Sequence, residues 1–422
     1  MRQVVESQSG SCSGSTEQHG ERKGQNVTKL LRSKRRGTAI PLVMIVVMIL
    51  LAMGVGLLDL GVKGRIYSIR TASDIAARCA ADSGLTMALF AMNEKLKVKP
   101  WNDSSLPEAT NESLPNCDAV FSYTVTGNPG AGYTIESVGT SGNAERKVTC
   151  ILKPEGPFEF AVFAEDGAEL KNSALVDGYN FGADDEILKF GTNSIASGAF
   201  TFKNSSTING DVVVGVGGNP DIVIDDFGAN ITGDTRTMTE KNTLPPIEVP
   251  QWLESLPSSE PITDDLTVTN SAKYSSINLK SSKTLLIEGD VILYVTGEII
   301  LGNSAEVQID NDSSLILYLG GNLEGKNSSA INNLTQETKK LQIYCLDSCE
   351  NMLFKNSSDF YGVIYAPNAE VIMNNSANLY GAVVAKNFQQ MNSGIFNYDA
   401  SLRDASVNDE AVRFVVTHWH EE

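Results

Sequence analysis

The chain has 422 residues, enough for two or three domains. With 41% hydrophobic and 20% charged residues it can bury a sizeable core, and a formal net charge of −18 argues against nucleic acid as a main partner. That charge is unevenly placed: the start is basic (Lys29, Arg32, Lys34, Arg35, Arg36) and the rest is acidic.

Residues 1–28 are rich in Ser, Gly and Gln, and the segment 1–37 reads as a basic, disordered cytosolic leader. Ala39 to Leu58 then carries no charge. At about 1.5 Å per residue such a run spans about 30 Å, the hydrocarbon core of a bilayer. The basic cluster lies just before it and Asp59 closes it, so the positive-inside rule puts the N-terminus in the cytoplasm and the long remainder outside. A cleaved secretory signal would have a shorter apolar core followed by small residues at a cut site.

The span continues as an amphipathic stalk helix, giving a helical segment over 38–99. Ile66, Ile69, Ala76, Ala80, Met87 and Ala91 share one stripe. Small residues are dense at Ala72, Ala76, Ala77, Ala80, Ala81, Gly84 and Ala88. They fit two roles, close packing on a following domain or tight packing against neighbouring stalks. Residues 100–155 hold three alternating runs, Phe121 to Thr126, Tyr133 to Gly139 and Arg146 to Leu152, separated by Gly/Asn turns; they predict a small antiparallel β module.

Residues 156–403 are strand-like and punctuated by Asn and Gly. The phrase Phe360-Tyr361-Gly362-Val363-Ile364-Tyr365-Ala366 returns, 19 residues on, as Leu379-Tyr380-Gly381-Ala382-Val383-Val384-Ala385. One short apolar run per period of about 20, without helical spacing, predicts a solenoid, here a parallel β-helix. Asn-Ser steps recur at Asn172, Asn193, Asn204, Asn270, Asn303, Asn327, Asn356, Asn375 and Asn392. Asn tolerates left-handed backbone angles and suits a corner between strands, so the expectation is an Asn at each corner. Thr239 to Thr263 interrupts the pattern with Pro245, Pro246, Pro250, Pro257 and Pro261, and carries Trp252. A loop this long is functional or disordered, which makes Pro245, Pro246 and Trp252 the candidate partner-binding loop. The tail, 404–422, is expected to fold back onto the solenoid as a cap through Trp419. The fold class is therefore mainly β, with a single N-terminal transmembrane and stalk helix, a small antiparallel sheet and a parallel β-helix.

The start has a family resemblance. Arg35-Arg36-Gly37-Thr38 before the apolar span resembles the prepilin-type start of type IV pilin-like proteins. Ala80-Ala81-Asp82-Ser83-Gly84-Leu85 is similar to the Ala-Ala-Glu-Ala-Gly phrase of PilX-type pilus-assembly proteins. The sheet phrase from Tyr133 to Leu152 is similar to the sheet that follows the long helix in pilin-like proteins. Gly362 to Ala369 resembles an uncharacterised β-helical domain that often follows PilX-type starts. The resemblance implies a bacterial inner-membrane protein, single-pass, with its bulk periplasmic or extracellular. It implies cleavage by a prepilin peptidase between Gly37 and Thr38, and packing of the stalk helix against other pilin-like subunits. Most major pilins carry Glu at the fifth mature position, where this chain has Leu42, so a minor rather than a bulk subunit is implied.

Catalytic chemistry is sparse. The acidic pairs Asp184-Asp185, Asp225-Asp226 and Asp264-Asp265 and the group Asp310, Asn311, Asp312 read as polar turns, because adjacent strand residues point to opposite faces. His418 and His420 flank Trp419 without a third metal ligand in view. The expectation is no enzyme, no cofactor and no metal. If the topology holds, Cys117, Cys150, Cys345 and Cys349 face an oxidising side; the expected disulfides are Cys117–Cys150 and Cys345–Cys349, although spacing alone leaves the pairing open. The expected function is a structural or assembly component of a type IV pilus or related filament, displaying a β-helix that is adhesive. The alternative is a membrane-anchored envelope protein whose β-helix binds or cleaves surface polysaccharide. A cluster of aromatics and acids in one groove of the solenoid would favour the alternative, and a featureless flank with one aromatic loop would favour the structural role.

Overall fold

The structure is a computed structural model that describes residues 39–171, 173–182, 187–203, 205–355, 358–374, 378–391 and 394–421. The expected processing site at Gly37 and Thr38 lies outside the described residues. So do Asn172, Asn204 and the Asn-Ser steps at 356, 375 and 392. The chain divides into two compact units, Met1–Ile69 and Arg70–Glu422.

A single α-helix covers Ala39–Leu96. In the first unit its large apolar side chains from Ile40 to Leu60 are all exposed, and the helix is long and apolar enough to cross a membrane. Past the apolar run, Asp59 and Lys63 pair across one turn at 2.8 Å. In the second unit the helix buries a stripe of Ala77, Ala80, Ala81, Gly84, Ala88, Met92 and Leu96. Their spacing of three and four residues keeps one face in contact with a sheet.

That sheet is antiparallel and five-stranded, in the order Glu108–Ser113, Val120–Asn128, Gly132–Ser141, Ala144–Glu155, Arg413–Glu421. Alternation puts Phe121, Tyr123, Val125, Tyr133, Ile135, Val148, Cys150 and Leu152 in its core. The last strand corrects an expectation. The tail does not cap the C-terminal domain; it returns to the module, with Trp419 opposite Cys150 and Arg413 opposite Glu155. Phe414 is the one buried residue of this strand, its ring edge-on to Trp101 and Tyr133 at 5.6 and 5.2 Å. The rest of the chain, from about Phe158 to Arg403, is thus inserted between the fourth and fifth strands of this sheet.

The inserted part is built from parallel strands. One surface runs, in spatial order, through Ala272–Tyr274, Asp290–Val295, Ser314–Leu319, Leu341–Cys345, Phe360–Met373, Leu379–Gln390, Val162–Leu170, Lys189–Thr192, Asp211–Val214 and Thr235–Thr237. Gly362 stands opposite Gly381 in parallel register. One buried row reads Leu293, Leu317, Ile343, Ile364, Val383, Val162, Phe190, Val212. A second surface continues from Ile277–Leu279 through Ile299–Leu301 and Leu323–Gly325, and a third parallel sheet comprises Leu266–Val268, Thr284–Ile287, Glu306–Ile309 and Ala330–Asn333. Successive partners on the first surface are 24, 26, 21 and 19 residues apart (293 to 317, 343, 364, 383), so the repeat is regular in space but not in sequence.

Spatial order is not chain order. The chain joins the stack in its middle, at Val162, and climbs to one end at Thr235–Thr237. The proline-rich segment then carries it to the opposite end, where Ser259 and Ile262 bridge to Tyr274 and Ile277 of the end strands. From there it returns strand by strand until Val383 meets Val162.

The corners differ from expectation in one respect. At four steps the left-handed residue is the Ser after the Asn, with φ of 61° at Ser173, 59° at Ser205, 55° at Ser304 and 57° at Ser328, while neither residue is left-handed at Asn193-Ser194 or Asn270-Ser271. Each sits third in a turn closed by a bond such as Ala305 N to Gly302 O (3.0 Å) or Ser329 N to Lys326 O (3.0 Å). The Asn carbonyls link successive corners: Ser282 N donates to Asn303 O (2.9 Å) and Ser304 N to Asn327 O (3.1 Å). The link from corner to corner therefore runs through backbone groups.

Candidate functional site

The helix is held on its sheet by close backbone contact. A side chain at Gly139 would collide with the carbonyl of Ala77 and the amide of Ala81. One at Gly84 would collide with Ser137, whose hydroxyl donates to Ala81 O at 2.8 Å. Of the two roles open to the small residues, core packing accounts for Ala77, Ala80, Ala81, Gly84 and Ala88. A glycine inside an alternating strand was the sequence signal for this approach.

The opposite helix face is exposed. Ile75 is 58% exposed, Met87 50% and Phe90 59%, and Cys79 lies exposed among them. Between this face and the edge strand Glu108–Ser113 is a groove of about 860 Å³, with Met87, Phe121, Tyr123 and Leu114 below and Asp82, Glu108 and Glu112 at its mouth.

The proline-rich segment is a strap over the parallel sheet. Tyr365 donates its hydroxyl to Pro245 O at 2.7 Å. Asn193 Nδ2 donates to Asn242 O at 2.7 Å, and Asn242 N returns a bond to Asn193 Oδ1 at 3.0 Å. Leu253, in the short helix Gln251–Glu254, is fully buried, while Trp252 beside it is half exposed. Proline suits an extended segment without a ladder partner, because it carries no N–H to satisfy. Pro245 is thereby tied into the fold, and Trp252 is the part of the expected partner-binding loop that faces solvent.

Beneath the strap lies a tyrosine row that sequence reasoning missed. Tyr294, Tyr318, Tyr344 and Tyr365 are in register. Tyr318 donates to Glu410 Oε1 at 3.0 Å and stacks on Tyr344 at 5.9 Å between centroids. Burial pushes the Tyr344 hydroxyl well above the usual phenol range. The signal was present as the recurring phrases Leu293-Tyr294-Val295, Leu317-Tyr318-Leu319 and Ile343-Tyr344-Cys345. A sheet covered on both faces reads as unbroken apolar runs.

A second aromatic group sits where the repeated phrases begin. Tyr361 and Tyr380 stack at 4.3 Å with ring planes 6° apart, and Tyr179 meets Tyr380 edge-on at 5.9 Å. Asn397 and Asp177 continue the Tyr380 register, and all five residues are half-buried.

The cysteines divide. Cys150 stands opposite Ile135, which stands opposite Val125. Cys117 precedes Val120, and Val120 to Val125 is about 17 Å along the strand at about 3.3 Å per residue. A disulfide needs Cα atoms within about 7 Å, so the expected Cys117–Cys150 bond is corrected: both are free thiols. Burial raises the Cys150 thiol to about 11. Cys345 and Cys349 are also unbonded thiols, but their sulfurs lie 3.1 Å apart.

The acids act as turn and strand anchors. Asp264 and Asp265 bind Lys280 and Lys283 at 2.7 Å each, and the Lys hydrogen bonds hold both carboxyls below the usual range. Asp226 accepts from Gly228 N and Ala229 N. Asp312 is a left-handed corner residue. Asp399, which the sequence did not single out, accepts from Thr338 Oγ1 (2.7 Å), Asn180 Nδ2 (3.1 Å) and Ser401 Oγ (2.8 Å). Where strap, stack and sheet meet, a cleft of about 330 Å³ is lined by ion pairs that include Arg413–Glu155 (2.6 Å) and Lys189–Glu159 (2.7 Å). Among the described residues no three His, Cys, Asp or Glu converge as a metal site.

Residues 230–405 match the family model described as a domain of unknown function, DUF7305. The match takes in the end of the first climb, the strap and the return of the chain. No curated protein matches. Among solved structures, the competence-associated pilin ComZ from Thermus thermophilus aligns at 14% identity over 83% of this chain and 97% of its own, with a TM-score of 0.30. The DUF3494 domain of a Shewanella frigidimarina ice-binding protein aligns at 16% identity over 57% and 94%, TM-score 0.30. A glycosylated ice-binding protein from an Arctic yeast aligns at 13% identity over 57% and 90%, TM-score 0.29. Superpositions this loose establish neither a shared fold nor a shared activity.

Proposed function

We propose that the chain is a membrane-anchored, pilin-like structural subunit, a minor or assembly component of a type IV pilus or related filament. The parallel sheets together make a β-helix that is displayed outside the cytoplasmic membrane. Its role is adhesive or architectural rather than catalytic. The observation that carries the reading is the helix: one end wholly apolar and exposed, the other seated on a sheet through Gly139 and Gly84. Such a helix anchors a folded module while leaving an outward face of Ile75, Cys79, Met87 and Phe90 for other helices. The prepilin-type start at Arg35 to Thr38 supports the same reading. In it a prepilin peptidase removes the leader, and the stalk leaves the bilayer only where its apolar face meets the helices of other pilin-like subunits.

N-terminal sequencing of the native protein tests this directly. The expected mature start is Thr38-Ala39-Ile40-Pro41; an intact Met1 on every copy overturns it. Cys79 supplies a second test, since oxidative cross-linking in native membranes should capture it against a neighbouring helix.

One observation favours the polysaccharide alternative, namely the Tyr179, Tyr361, Tyr380 group with Asp177 and Asn397 beside it. Aromatic faces and edges flanked by amide and carboxylate groups suit hydroxyl-rich ligands. Retention of the full chain on immobilised envelope polysaccharide, lost in Tyr361→Ala with Tyr380→Ala, would raise this reading over the first.

A further inference from the structure

We infer that Cys345 and Cys349 form a disulfide that must close before the surrounding strands pack, so that the oxidising compartment acts on the unfolded chain and not on the finished fold. Cys345 ends the strand Leu341–Cys345, and Cys349 ends the turn closed by Cys349 N to Leu346 O at 2.9 Å. Their sulfurs lie 3.1 Å apart, and Met352 Sδ lies 3.3 Å from Cys345 Sγ. Closing to a bond length of about 2.05 Å brings the two sulfurs about 1 Å nearer.

The corner explains why a cross-link is useful here. Residues 346–350 separate the strands Leu341–Cys345 and Asn351–Phe354. In the coil below only 320–322 separate Ser314–Leu319 from Leu323–Gly325. The longer corner has more freedom to lose on folding, and a bond across it removes part of that freedom beforehand.

Access explains the order. Cys345 is 4% exposed and Cys349 is fully buried. Burial also holds the Cys345 thiol protonated, and the protonated form is a poor nucleophile. The co-reactant is a disulfide donor, protein or small molecule. In the unfolded chain one cysteine thiolate attacks a donor sulfur and expels the donor's first thiolate. The other cysteine thiolate then attacks the chain sulfur of the mixed disulfide, and the donor's second thiolate leaves. The chain loses two protons and two electrons, and the donor disulfide becomes two thiols.

The test uses the full chain in detergent. It is unfolded and refolded either with reductant alone or with a reduced and oxidised glutathione mixture, then denatured, alkylated and digested, and the peptide carrying both cysteines is weighed. The expected result is two alkyl groups after the reducing refold, and none after the glutathione refold until reductant is added. Protein folded in reductant and then given oxidised glutathione should keep both thiols until denaturant opens it. A doubly alkylated peptide after oxidative refolding overturns the bond. Cross-linking of the folded protein at the rate of the unfolded chain overturns the order. Cys345→Ser provides the reference, because Cys349 should then be alkylated or carry glutathione and never join an internal cross-link. The outcome is independent of the filament reading.

Discussion

The two glycines of the repeated phrase make the sharpest stability test. Gly381 has φ of 138°, and a Cβ there would collide with the carbonyl of Gly362 on the neighbouring strand. Gly217 has φ of 78° with nothing within 4 Å of its missing Cβ. Gly217→Ala therefore carries backbone strain alone, about 1–2 kcal/mol. Gly381→Ala carries about 2 kcal/mol of strain in a region open mainly to glycine, and about 2 kcal/mol more for forcing two hydrogen-bonded strands apart. The expected loss is about 4 kcal/mol, with Gly362→Ala in between, because there the contact is to Leu341 at 2.9 Å without an unusual φ. Urea unfolding of the full chain in detergent, followed by circular dichroism near the β band, gives the three values. If Gly381→Ala costs no more than Gly217→Ala, the tight parallel approach of the repeated phrases is wrong.

Asp399→Asn should cost about 2 kcal/mol, the worth of hydrogen bonds to a buried charge. Burial pushes the Asp399 carboxyl up, but the bonds from Thr338, Asn180 and Ser401 outweigh it and leave it lowered. Its stabilisation is therefore complete above the unfolded value of about 3.9 and lost as pH falls through the lower folded value; the variant should show a weaker fall in unfolding midpoint in that acid range. Tyr365→Phe removes the bond to Pro245 O, with an expected cost of about 1 kcal/mol and faster proteolysis within residues 239–258. Unchanged cleavage there would show that the strap is held by other contacts.

Much of this architecture was readable from residues. The uncharged run from Ala39, the alternation of the middle strands and the 19-residue offset each reflect a local period, and local periods survive in sequence. The offset was clear only near the end because the steps there are shortest; at 24 and 26 residues the longer corners hide it. What could not be read was long-range. That Val383 pairs with Val162, and that Arg413 pairs with Glu155, depends on which edges remain open after all nearer strands have paired. The Asn-Ser steps were recognised as corners, but the left-handed angle was given to the wrong residue, because Asn is the better former in isolation. Here the turn's third place, occupied by Ser, decides. The cysteine pairing failed at Cys117 for a related reason, since flanking a meander in sequence says nothing about distance along a strand.

The insertion of the stack between two neighbouring strands has a mechanical consequence. Both crossings lie side by side, with Glu155 opposite Arg413 and their side chains paired at 2.6 Å. A pull on the stack is therefore divided between Ala144–Glu155 and Arg413–Glu421, which leave the sheet at the same end. The load on the first is resisted along its length by its pairing with Gly132–Ser141, from Tyr133 opposite Leu152 to Ser141 opposite Ala144. Hydrogen bonds loaded this way must slip together instead of opening one at a time. A body held by two sheared strands can bear a tug that a single tether would pass straight into its own unravelling.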